Sequence, residues 1–151
     1  MRTSLLASLA LAGSLCAIPA FAQQGSPPTT PTGVTRVNLI RIKTGHGPQF
    51  WNDMRQHMKP IYEEYKRKGI IEDYSVSTKL STDNENDWNV AWTVRYKTWS
   101  ALDDLTMRTD PITLAHYGSA DQRTAAANAR SEHATTVSSF LVRNVTVNDW
   151  K

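Results

Sequence analysis

The chain has 151 residues, 17 Lys and Arg against 14 Asp and Glu, a formal net charge of +3, and a single cysteine. So even a balance excludes a nucleic-acid partner held by counterion release, which needs cations clustered on one face; the one basic run, Lys66-Arg67-Lys68, sits at a predicted helix end, where the helix dipole accounts for it. Cys16 falls in a leader, so the mature chain excludes disulfides, thiolate nucleophiles, Cys-ligated zinc and iron–sulfur clusters.

Residues 1–22 read as a signal peptide: Arg2 is the positive start, an apolar run extends from Leu5 to Ile18, and Ala20-Phe21-Ala22 is an A-x-A cleavage site. The run stops at Pro19, short of the roughly 20 apolar residues of a membrane span. Leu15 stands before Cys16 where a lipoprotein signal needs a small residue. The expected location is therefore periplasmic or secreted, with no span in the mature chain. Residues 23–33, rich in Pro and Thr, are expected to be a disordered or extended linker, and residues 34–151 one domain.

Residues 35–43 alternate as a strand, with Val37, Leu39 and Arg41 on one face and Asn38, Ile40 and Ile42 on the other. Residues 48–68 follow a helical period through Phe50, Met54, Met58, Ile61 and Tyr65, with a kink expected at Pro60 and a stop at Gly69. A second strand is predicted over residues 70–79 and a polar connection over 81–87. The third strand, residues 88–96, puts Trp88, Val90, Trp92, Val94 and Tyr96 on one face and Asn89, Ala91, Thr93 and Arg95 on the other.

Ser100 is expected to cap a short helix holding Leu102 and Leu105. Asp110-Pro111 then has the form of an N-cap and first helical residue, opening a separate turn that Gly118 ends. Ser119 with Gln122 is a capping box for an Ala-rich helix to about His133. Residues 138–147 form a fourth strand, with Phe140, Val142 and Asn144 opposite Leu141, Arg143, Val145 and Val147.

The order β-α-β-β-α-β predicts an α+β ferredoxin-like domain, a four-stranded antiparallel sheet with its helices on one face. Strands one, three and four carry apolar residues on both faces, and leaving such side chains in water forfeits roughly 1.5–3 kcal/mol each. A second copy packed on the sheet is the expected partner. Over residues 34–147 the chain resembles the dimeric α+β barrel superfamily. The resemblance rests on the order of elements, on the long helix running into Lys68-Gly69-Ile70-Ile71 with Tyr74-Ser75-Val76 behind it, and on the aromatic strand that follows. The chain looks like the small single-domain members, in the neighbourhood of the NIPSNAP-like, EthD-like and antibiotic-biosynthesis monooxygenase-like proteins. That superfamily holds monooxygenases, isomerases, haem enzymes and non-catalytic binders, so the resemblance implies a fold and leaves the activity open.

In its small oxygenases an Asn–Trp–His group holds haem or, in cofactor-free relatives, Asn and Trp orient an aromatic substrate. The resemblance implies those roles for Asn38, Trp92 and His116. From the residues themselves, His46 in a Gly-flanked loop is free to meet a ligand, and Arg95 and Arg143 interrupt strands suited to burial, where they would bind an acidic molecule or pair with surface carboxylates. His57 reads as a semi-buried helix residue and His133 as a helix-end residue. The irregular histidine spacing contains no zinc motif. Residues 83–87 imitate a calcium loop but lack its glycine and closing glutamate, and read as a solvated hairpin loop. Neither a metal nor a cofactor is expected, haem being the alternative, and no catalytic residue is assigned. The functional expectation is an exported dimer that binds or acts on a small aromatic or acidic metabolite. The alternatives are a non-catalytic interaction module and a haem-binding monooxygenase-like protein.

Overall fold

A computed structural model describes residues 27–81, 84 and 86–149; the leader, the start of the linker and part of the acidic loop lie outside them. Four strands, β1 (Thr29–Ile42), β2 (Asp73–Thr78), β3 (Val90–Tyr96) and β4 (Ala134–Val147), form one antiparallel sheet in the order β2-β3-β1-β4. Helix α1 comprises Gly47–Asp53, a π turn over Met54–Met58, and Lys59–Arg67. Helices α2 (Leu105–Tyr117) and α3 (Ala120–His133) follow β3, after a 3-10 turn at Trp99–Leu102. The molecule is thus an α+β fold of an open sheet and three helices.

Strand β1 begins at Thr29, inside the segment read as a linker, because β4 runs far enough to pair with it as far as Val147. Gly33 makes this continuation possible. Its φ is 139°, it marks a register shift against β4, and a Cβ there would stand 2.7 Å from the Tyr96 carbonyl oxygen. The glycine that looks like a linker residue is a bulge inside a strand.

Proline lies inside a helix at two places, at Pro60 in keeping with a helix that does not end there and at Pro111 against expectation. Pro60 has no N–H to offer the Gln56 carbonyl, and the helix absorbs the loss as the π turn just before it. Pro111 opens no new helix and lies within α2. The Asp110 carboxylate, expected as an N-cap, instead accepts from Arg123 at 3.0 Å, and the Thr109 and Thr113 hydroxyls bond to carbonyls one turn back. The stop after α1 is as expected: Gly69 takes φ 66°, its N–H bonds to the Lys66 carbonyl, and the Ile70 N–H bonds to Tyr65 at 2.9 Å.

Register fixes which residues share a face. Val34, Arg36, Asn38 and Ile40 of β1 lie opposite Tyr96, Val94, Trp92 and Val90 of β3 on the side the helices cover. There Phe50, Met54, Ile61 and Tyr65 of α1 meet the aromatic strand and close the core. The opposite side, with Val37, Leu39 and Ala91 beside Phe140 and Val142, has no helix over it among the described residues.

Candidate functional site

Between the helix-covered side of the sheet and the helices lies a cavity of about 500 Å³. The sheet contributes Asn38, Ile40 and Trp92; α1 contributes Phe50, Met54, Met58 and Tyr62; Arg130 of α3 stands at its margin. A concave, mainly apolar space with a few polar groups is the general form of a small-molecule site.

Trp92 is 4% exposed and held on both sides, its ring stacked on Tyr74 at 5.3 Å and edge-on to Tyr62 at 4.7 Å. Its Nε1 is buried and has no hydrogen-bond partner. The N–H acts on the Tyr62 hydroxyl to favour its phenolate but makes no hydrogen bond to it. Burial dominates at Tyr62 and, with Tyr96 and Tyr65 nearby, pushes its pKa up to about 12, so the hydroxyl stays protonated. A buried donor without an acceptor costs roughly 1–3 kcal/mol.

Asn38 is positioned rather than free. Its Nδ2 donates to the Trp92 carbonyl at 3.3 Å and its Oδ1 accepts from the Ser139 hydroxyl at 2.8 Å. Arg130 is also held: Nε and Nη2 donate to the Asp53 carboxylate at 2.6 and 3.2 Å, and Nη2 donates to the Tyr117 hydroxyl at 3.0 Å. Burial works against its charge, and the carboxylate and phenol more than restore it. Arg130 is thus a braced wall of the cavity.

Of the residues singled out from sequence, the fold brings Asn38 and Trp92 together and leaves the other four elsewhere. Arg95 is on the opposite side of the sheet, ion-paired to Glu72 at 3.2 Å. Arg143 is exposed on β4 opposite Val34. His46, at the start of α1, meets His133 with their Nδ1 atoms 3.0 Å apart. His116 meets His57, Nε2 to Nδ1, at 3.0 Å. No histidine lines the cavity, so the residues do not fit a haem pocket of the Asn–Trp–His kind. Among the described residues no three His, Cys, Asp or Glu side chains converge on a metal position. Asn86 and Asp87 of the acidic loop are engaged with Asn84, Arg41 and Lys79, while Asp83 and Glu85 lie outside the described residues.

Tyr62, Asp53, Tyr117 and Arg130 were not singled out by sequence. Tyr62 follows Met54 and Met58 at four-residue steps, which is a readable signal. Arg130 belongs to a row, Arg123, Ala126, Arg130 and His133, that forms the inward face of α3 and is almost wholly polar. Hydrophobic periodicity could not reveal that face.

The His57–His116 pair carries a pH dependence. Burial first, and the neighbouring His57 second, hold the His116 pKa below 6.5. A histidine depressed in the folded state contributes stability above its unfolded pKa and loses it as pH falls. Thermal unfolding followed downward from about pH 6.5 should show a loss of stability, and His116→Gln should flatten its upper part.

No helix among the described residues is long and apolar enough to cross a membrane. No family model, curated protein or solved structure matches the chain.

Proposed function

We propose that this chain is a small-molecule-binding protein of the dimeric α+β barrel kind, exported to the periplasm or beyond, whose cavity takes an aromatic metabolite carrying a hydrogen-bond acceptor. The observation that carries this reading is the apolar, aromatic-walled cavity whose lining includes Trp92, a side chain with a buried, unpartnered Nε1. Aromatic rings on the wall favour an aromatic body, and the orphan N–H favours a carbonyl or similar oxygen.

The ferredoxin-like assignment draws support from the strand order, with β1 between β3 and β4, which two interleaved right-handed βαβ units produce. Dimerisation through the sheet draws support from its open side, where Phe140 and Val142 are 43% and 38% exposed beside Val37 and Leu39. Export rests on the leader reading of residues 1–22.

The ligand reading is tested by calorimetric titration with acetophenone and ethylbenzene, which match in shape and differ in the carbonyl oxygen. The ketone should bind about tenfold more tightly, the worth of one well-placed hydrogen bond. Equal affinities, or no binding of either, would sink the proposal. Sedimentation equilibrium tests the dimer: a monomer at micromolar concentration would contradict it, and Phe140→Asp should dissociate it.

A further inference from the structure

A second, smaller cavity of about 140 Å³ shares Tyr62 with the first and is lined by Arg36, Tyr62, Tyr65, Tyr96 and Thr109 together with two aliphatic side chains. Arg36 is partly buried on the helix-covered side of β1, opposite Val94 and Leu141. Arg67, Arg95, Arg123 and Arg130 each hold a carboxylate. Arg36 has no ion pair and no side-chain hydrogen bond among the described residues. A partly buried arginine without an acceptor is an incomplete arrangement.

A long side chain can extend its head into open water, but Arg36 does not stand clear of the phenols. Its charge acts on both Tyr62 and Tyr96, opposing the rise that burial imposes on them. Every group it faces in the cavity is a neutral hydroxyl or an aliphatic surface. The cavity therefore offers a planar fork of N–H donors and phenolic O–H donors, with no carboxylate to answer them.

We propose that Arg36, with the hydroxyls of Tyr62 and Tyr96, forms a binding site for the carboxylate of a small organic acid. A carboxylate is planar and accepts only, so it matches the guanidinium fork in geometry and the phenols in polarity. Arg36 is the one charged group in the lining, and of the charges that act on its tyrosines from outside, Arg108 on Tyr96 and Asp110 on Tyr65 are opposite in sign, which favours a monoanion over a phosphate dianion. The cavity volume restricts the acid to a short chain. The two cavities share Tyr62 as a wall, but this proposal rests on Arg36 and its test makes no use of the Trp92 cavity.

The test is an NMR titration of the 15N-labelled full chain, following the Arg36 Nε–H signal assigned through bonds, in a buffer free of carboxylate and phosphate. Propionate should move the signal saturably. Phosphate should act at least about tenfold more weakly, and chloride should not act at all. Arg36→Lys, which keeps the charge and loses the fork, should weaken propionate binding by at least about tenfold as read from the tyrosine ring signals, while Arg55→Lys on exposed α1 surface should leave it unchanged. A signal unmoved by propionate, or moved alike by all three anions as an adventitious ionic effect only, overturns the proposal. If Arg36→Lys does not fold, the wild-type titration decides alone.

Discussion

Phe50→Ala should lower the free energy of unfolding by about 3–5 kcal/mol. Phe50 is 1% exposed, sits in the first turns of α1, packs edge-on to Trp51 at 5.1 Å, and also forms part of the wall of the larger cavity. Removing its ring takes away buried apolar surface and joins the vacated space to a void that already exists, so little collapse can offset the loss. Domains of this size are stable by only about 5–15 kcal/mol, so the change consumes a large share. Urea denaturation should show a midpoint well below wild type at an unchanged slope. A loss under 1 kcal/mol would mean that α1 does not dock through this side chain.

Asp53→Ala should cost about 3 kcal/mol, the lower end of the range for breaking a buried ion pair. The Asp53 and Arg130 side chains are 14% and 27% exposed, enough to reduce solvent screening without abolishing it. The substitution leaves the Arg130 charge facing the Tyr117 hydroxyl alone. The effect should concentrate on α3, which has no buried residue and docks through Arg123 to Asp110, Arg130 to Asp53 and His133 to His46. Hydrogen exchange in α3 should accelerate ahead of that in β3. The double substitution Asp53→Ala with Arg130→Met should recover part of the loss, since no charge is then left unpaired. Strict additivity of the two single effects would contradict this docking scheme.

The fold was legible wherever packing follows hydrophobic period. Strand β3 alternates so regularly that Val90, Trp92, Val94 and Tyr96 are all buried on one face, as the pattern implies. The α1 stripe and the Gly69 stop are equally direct. What escaped was structure set by tertiary partners. Thr29–Gly33 looks like a tether because Pro and Gly punctuate it, and becomes strand because β4 extends to meet it. Asp110-Pro111 carries a helix-start signature, yet Arg123 captures the carboxylate and the helix runs through. At the cavity, Asn38 and Trp92 were readable because their faces follow from strand alternation, and register pairs them directly. Asp53 and Arg130 are 77 positions apart, and nothing local marks either as the partner of the other. Arg36 escaped for a related reason: on a strand with polar residues on both faces, its lack of a partner is visible only once its neighbours are in place.

Trp92→Phe tests the ligand-binding account most directly. The change keeps an aromatic ring in the stack with Tyr74 and removes only the buried N–H and part of the indole. Ligand-free protein should lose little stability, because the cavity that is created is offset in part by removal of a buried donor that had no acceptor. Acetophenone affinity should fall about tenfold, to the level of ethylbenzene. A variant that still prefers the ketone by the wild-type margin would show that the indole N–H does not receive the ligand, and would contradict the account.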